Sequence, residues 1–222
     1  MTVNIYFIRH AQSTANVDPR NLIGGKNPHV KLTKEGEIQA KLLGQHFKKK
    51  GVCCDLAYSS GAVRTQSTAQ IVLKEIGYKG RIVIDEDLVE RGQGDWQGKP
   101  RSIYKRPDVV RKLAKDSWNF KPGDRVRGES ENEVAHRMVR VLQQIVFTNT
   151  FVKTNIFVFS HAHAIRCMLA MWCDLEVSDI YIDNTSVTLL RFHDVFWIDP
   201  FYPCDDGICS KDLWANTDHL NK

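Results

Sequence analysis

Short apolar runs rich in β-branched and aromatic residues alternate along this chain with longer stretches of helical period, and few folds accept that alternation. It calls for βαβ units, in which parallel strands are joined by helical crossovers. Residues 3–8, 55–59, 81–84, 156–159 and 187–192 read as strands, and residues 33–50, 65–76, 131–147 and 164–173 as helices. Thr33 is placed to cap the first helix and Gly51 to stop it, Gly77 closes the second, and Ser130 with Glu133 has the spacing of a capping box for the third. The expected fold class is α/β: a three-layer sandwich with a mostly parallel central sheet flanked by helices. A length of 222 residues suits a single domain over 1–222.

Two stretches fall outside the pattern. The first, about 95–128, contains three prolines and, between Lys99 and Arg127, ten Lys or Arg against three Asp. It reads as an insertion between core units and is expected to form a lid that draws in polyanionic substrates. A basic segment also suits nucleic acid, but the interleaved aromatics or recognition helix of such a binder are missing. The second stretch, a C-terminal tail at about 194–222, has aromatics and no period.

Hydrophobic residues make up 42% of the chain, charged residues 26%, and mean hydropathy is -0.34, which excludes a mainly disordered, collagenous or membrane-spanning protein. The opening MTVNIYFIRH has no basic residues ahead of its short apolar stretch and lacks the layout of a secretory signal. Cys53, Cys54, Cys167, Cys173, Cys204 and Cys209 form neither CxxC pairs nor zinc-finger spacings. Reduced thiols and a cytoplasmic location are the expectation.

Two strands run straight into a histidine: 3–8 into Arg9-His10, and 156–159 through Ser160 into His161. The strand at 55–59 leads through Ser60 to Arg64, and the strand at 81–84 leads to Glu90-Arg91. Ligands of an open parallel sheet sit outside the carboxyl ends of its strands. The pattern therefore gathers two His, Arg side chains and a Glu at one edge, and forked guanidinium groups with helix N-terminal amides are what a phosphate or carboxylate requires.

On these residues the chain resembles the histidine phosphatase superfamily, the phosphoglycerate mutase-like proteins. Arg9-His10-Ala11 matches the family's nucleophile motif, extended as FIRHAQSTAN (7–16), and YSSGAVRTQSTA (58–69) its second motif. LVERGQGDWQG (88–98) resembles the segment that carries the family's acid, and VFSHAHAIR (158–166) the segment with its second histidine. LTKEGEIQA (32–40) and GESENEVAHR (128–137) match supporting helices, and all follow the family's order. Ala11 and Ala162 depart from it by replacing the glycines that usually follow each histidine. A methyl there matters if the backbone needs φ > 0 or the ligand comes very close.

The resemblance implies a role for each residue. His10 is the expected nucleophile, since a neutral imidazole can take a phosphoryl group and divide one displacement into two. Arg9 and Arg64 are expected to clamp the phosphoryl oxygens, with His161 donating to the same group. Glu90 is the expected acid for the leaving oxygen and then the base for water, its pKa raised by burial. Ser13, Asn16, Ser60, Arg91 and Ala162 are expected at the substrate, with Ser60 also orienting Arg64. His163 has no counterpart in the motif. Trp96 and Trp118 read as packing residues.

The resemblance implies a metal-independent phosphatase that hydrolyses phosphomonoesters of small metabolites through a phosphohistidine. It needs neither metal nor cofactor and has a small phosphorylated substrate as partner, with no nucleic acid and no membrane. The alternatives are a phosphoglycerate mutase and a non-catalytic phospho-ligand binder. Family mutases carry an arginine pair followed by Ser-Tyr-Asp in the inserted segment, and KDSWNFKP (115–122) lacks it. A silent member would be expected to lose His10, Arg64 or Glu90, and all three are present.

Overall fold

The chain enters the sheet through β1 (Thr2–Arg9), crosses over as α1 (Lys34–Lys49), returns as β2 (Leu56–Ser59), and repeats with α2 (Val63–Glu75) and β3 (Ile82–Ile84). After an inserted stretch holding α3 (Pro107–Lys115) come α4 (Glu131–Asn149), β4 (Thr154–Ser160), α5 (Ala162–Cys173), β5 (Val187–His193) and β6 (Cys209–Ser210). The computed structural model describes residues 2–149, 154–193 and 209–210, so the expectation for the tail lies almost wholly outside the described residues.

The sheet runs in the order β3-β2-β4-β1-β5-β6. The first four strands are mutually parallel, as βαβ crossovers require, whereas β5 pairs antiparallel with β1 and β6 with β5. Along β1, Val3, Ile5 and Phe7 enter one buried cluster while Tyr6 and Ile8 enter another, and β4 divides in the same way. Burial on both faces is why these runs are apolar throughout rather than alternating. α1 and α2 cover one face with Leu43, Phe47, Val72 and Leu73, and α4 and α5 cover the other with Met138, Leu142, Ile165 and Leu169. Phe157 sits between Tyr6 and Phe47 at ring separations of 5.0 and 4.7 Å, and truncating it to Ala should cost about 3–5 kcal/mol.

The predicted caps form. Thr33 accepts from the Gly36 amide at 2.9 Å, and Ser130 and Glu133 exchange hydrogen bonds as a capping box. Gly36 is also a close-approach residue, because a Cβ there would collide with the Gln12 carbonyl just beyond β1. The register that matters for function is Arg9 opposite Ser160, completed by the His10 amide donating to the Ser160 carbonyl. It sets the ends of β1 and β4 side by side, so the residues that follow them are neighbours. A slip by one residue would exchange the buried faces of both strands.

The 95–128 segment contains a helix that the sequence reading did not resolve. Pro107 at the start of α3 and Asp108 in its first turn are ordinary helix-start signals. Trp96, Val109 and Phe120 pack with Ile23 in a small cluster of their own, bordered by Ile103, Tyr104 and Leu113, while Trp118 packs on the main core. Backbone hydrogen bonds from Ile23 to Lys99 and from Arg101 to Asn21 fasten the segment to the loop before α1. At its root, Gly94 has φ +57° and its Cα faces the Val126 carbonyl so closely that no side chain fits.

Candidate active site

His10 is buried just beyond β1, and its Nδ1 lies 2.8 Å from the Ala11 carbonyl. A carbonyl only accepts, so Nδ1 carries the ring proton and Nε2 keeps a free lone pair. Burial pushes the imidazole pKa well below its ordinary value, and Arg64 and Arg9 push in the same direction against the pull of the Ala11 bond. At neutral pH the ring is therefore uncharged. The peptide around it is held from two sides: the Ala11 amide donates to Thr68 Oγ1 on α2, and Asn184 Nδ2 donates to the His10 carbonyl. Neither Ala11 nor Ala162 has positive φ, so the expected glycine positions carry no backbone strain here.

Arg9 donates from Nη1 to the Ile182 carbonyl at 2.8 Å, while its Nε is buried and unpartnered. A buried guanidinium donor left unsatisfied beside His10 is an anion-binding feature. Arg64, at the start of α2, donates from Nη1 to Asn27 O and from Nη2 to His161 Nδ1 at 3.0 Å. Since arginine cannot accept, His161 Nδ1 is the acceptor, and in the neutral ring Nε2 then donates to Ser60 Oγ at 2.9 Å. The chain continues through Thr65 Oγ1 at 2.7 Å to the Ala62 carbonyl. Burial, reinforced by Arg64 and then His10, drives the His161 pKa far down. The two imidazoles lie 5.3 Å apart at a steep angle.

Glu90 is half-buried and held by main-chain amides rather than by an apolar pocket, a correction to the expected burial. Its Oε1 accepts from the Arg91 and Ala164 amides at 2.9 and 3.1 Å, and Oε2 from the His163 amide at 3.3 Å. The carboxyl group thus sits on the N-terminus of α5, oriented by amides that the helix itself leaves unpaired. Behind it, Arg137 of α4 clamps the Asp87 and Glu90 carbonyls while pairing with Glu129, which assigns work to both ends of the 128–137 motif.

A cleft of about 470 Å³ joins these groups, lined among others by Arg9, His10, Arg64, Glu90 and Arg101. Ser13, Asn16 and Ala162 also line it; Asn16 Oδ1 accepts from both the Ser13 amide and hydroxyl, which leaves the Asn16 amide nitrogen out of those bonds. Three further expectations change. His161, expected to donate to the phosphoryl group, has Nδ1 engaged by Arg64 and Nε2 by Ser60, so it holds Arg64 instead. Ser60 is fully buried, does not line the cleft and is bonded to His161 rather than to Arg64, so it orients the imidazole. Arg91 faces the cleft, but each of its nitrogens is already committed, to Glu129 O, Phe120 O and Glu131 Oε1, which makes it a strut.

Sequence reasoning missed the loop at 22–25, Tyr104, Leu113, Glu131, His163 and Arg166 as cleft residues. Gly24-Gly25 is the only local signal for the loop, and His163 was visible only as a departure from the motif. Of the ten inserted cations, Arg101 alone lines the cleft. Lys99, Arg106, Lys112 and Lys121 are spent on ion pairs with Asp95, Asp108, Asp124 and Glu133, and Arg127 on the Gly123 carbonyl. Lys105, Arg111, Lys115 and Arg125 are exposed and stand outside the cleft lining, so the expected attraction is reduced by these ion pairs and only Arg101 of the segment acts at the cleft itself.

Comparisons with known proteins bear on the same residues. The family model for the histidine phosphatase superfamily (branch 1) matches residues 5–198. A 2,3-bisphosphoglycerate-dependent phosphoglycerate mutase of Brucella canis is 29% identical over 196 residues, covering 86% of this chain and 92% of the relative. Among solved structures, the mycobacterial glucosyl-3-phosphoglycerate phosphatase superposes with a TM-score of 0.77 at 22% identity, covering 98% of this chain and 100% of the other. A putative alpha-ribazole-5'-P phosphatase of Escherichia coli gives 0.75 at 21% identity, covering 96% of both chains.

Proposed function

The chain belongs to the histidine phosphatase superfamily, branch 1, and we propose that within it the protein is a metal-independent phosphomonoesterase for small phosphorylated metabolites, working through a phosphohistidine on His10. One observation carries the reading: the Nδ1 bond to the Ala11 carbonyl fixes the tautomer that leaves Nε2 as a nucleophile. Nε2 attacks phosphorus and the phosphorus–oxygen bond to the leaving group breaks, the leaving oxygen taking a proton from Glu90. Water then gives its proton to Glu90 and displaces the phosphoryl group, which returns His10 to its neutral state.

Arg9 and Arg64 neutralise the oxygens of the transferring group, a charge role that a metal would otherwise fill. His161 and Ser60 act through Arg64, by holding its Nη2 at the site. Ser13, Asn16 and Ala162 border the ester side of the cleft, and Arg101, Tyr104 and Leu113 serve as the lid's inner surface. Ion pairs of Lys99, Arg106, Lys112 and Lys121 with neighbouring carboxylates interrupt the basic segment, which supports a small substrate over nucleic acid as its partner.

Among the described residues no helix is long and apolar enough to cross a membrane. Cys53, Cys54 and Cys167 are free thiols, and burial pushes the Cys54 thiol up to about 12. Thiols left free suit a reducing compartment, which supports the cytoplasm as the proposed location.

The mutase reading draws on the name of the sequence relatives. Against it stands the 115–122 stretch, where Asp116 binds Asn119 and no arginine pair faces the cleft. Incubation with phosphoserine, glycerol phosphates and 3-phosphoglycerate, with and without 2,3-bisphosphoglycerate, separates the two. The phosphatase reading expects inorganic phosphate in every productive reaction, undiminished by EDTA. Interconversion of phosphoglycerates without phosphate release would overturn it.

A further inference from the structure

Three elements meet at Glu90, and the carboxylate of Glu131 on one of them contacts side chains of the other two. Glu131, the first residue of α4, has its Oε1 3.1 Å from His163 Nε2 and accepts from Arg91 Nη1 at 3.3 Å. Arg91 and His163 are two of the residues whose main-chain amides hold the Glu90 carboxylate, one on each oxygen. We propose that Glu131 is a positioning residue for Glu90: its carboxylate cross-braces the segment that carries Glu90 to the helix end that receives it. The proposal rests on Glu90 working at the leaving oxygen.

Such a brace is needed because the two grips on Glu90 come from different elements. The Arg91 amide belongs to the irregular segment after β3, and the His163 amide belongs to α5. Backbone hydrogen bonds to a carboxylate do not by themselves fix the distance between the segments that supply them. The side chains of Glu131 and Arg91 are 14% and 5% exposed, so the link is shielded from solvent, where exposed ion pairs contribute little. Burial works to raise the Glu131 carboxyl, but hydrogen bonding to His163 and the charges of His163, Arg91 and Arg166 outweigh it and hold the pKa below the usual value. The carboxylate is therefore ionised and suited to both partners. A misplacement of about 1 Å in a catalytic group can cost on the order of 100-fold in rate.

Glu131→Ala, Glu131→Gln and His163→Ala, each alone, test the brace, with Glu131→Ala also combined with Glu90→Gln. Loss of the brace should lower kcat on an alkyl phosphate roughly 10-fold while leaving kcat on p-nitrophenyl phosphate within about 2-fold, because a good leaving group needs little acid. Glu131→Gln keeps an acceptor oxygen for both partners and should recover most of the loss. In the Glu90→Gln background Glu131→Ala should cost nothing further, since the residue it positions is gone. Equal losses on both substrates, or losses that add to those of Glu90→Gln, would overturn the proposal.

Amide hydrogen exchange supplies a readout that does not depend on activity. Exchange at Arg91 and His163 should quicken in Glu131→Ala and, if that variant fails to fold, in His163→Ala. Unchanged exchange overturns the brace even where the enzyme is active. Faster exchange in a protein that hydrolyses neither substrate would support the brace and reject the phosphatase reading.

Discussion

Lowering the pH from 6.5 to 5.5 should destabilise the folded protein by about 2 kcal/mol through His10 and His161 alone. Both rings are buried, and burial together with Arg64 drives both pKa values well below 6.5. In the unfolded chain each titrates near 6.5, so below that pH the unfolded state binds protons that the fold refuses. The stability these groups permit is present above the unfolded value and is lost as the pH falls. Integrating over the unit from 6.5 to 5.5 gives about 1 kcal/mol for each imidazole, while ordinary carboxyls stay ionised in both states and contribute little. At roughly 2–4 °C per kcal/mol for a chain of this size, the melting temperature should drop by about 4–8 °C. Calorimetry at pH 6.5, 6.0 and 5.5 on the wild type and on the His10→Asn, His161→Gln double variant isolates the effect, because comparing slopes cancels the absolute cost of the substitutions. If the two proteins lose stability in parallel, the folded imidazoles take up protons, and the argument for a neutral nucleophile fails with them.

Two further outcomes follow from the cleft. Glu90→Gln should lower kcat on alkyl phosphates by about 10²–10⁴-fold and on aryl phosphates by much less, in steady-state assays on matched ester pairs; equal losses would mark Glu90 as a structural residue. Arg101→Ser should raise KM for substrates with a second anionic group more than for simple monoesters, whereas Lys105→Ser and Arg106→Ser should leave both unchanged, since Arg101 lines the cleft and Arg106 is paired with Asp108 and Asp124.

The strand ends were legible because β1 and β4 are apolar to their last residues and then break abruptly into Arg9-His10 and Ser160-His161. Thr33, Ser130 and Glu133 were legible for a related reason: a cap is a local contract, readable within four residues. What local pattern did not reveal was set by contacts across long stretches of chain. Arg91 read as a substrate ligand because its strut partners, Phe120, Glu129 and Glu131, lie 29 to 40 positions away. Ser60 sits four residues before Arg64 in sequence, yet its hydroxyl reaches His161, 101 positions on. The inserted segment read as a uniformly free cationic surface because the sequence shows its charges without the salt bridges that engage Lys99, Arg106, Lys112 and Lys121.

The account stands or falls on a covalent bond between phosphorus and His10 Nε2. Acid-sensitive and alkali-stable label should accumulate when the wild-type protein is quenched during turnover of a ³²P-labelled phosphomonoester, and peptide mapping should place it on His10, whose Nδ1 is bonded to the Ala11 carbonyl. His10→Ala should take up no label, while Glu90→Gln, slowed in releasing the phosphoryl group, should retain it longer than the wild type. Label that persists in His10→Ala, or that maps to His161 instead, would contradict the central claim.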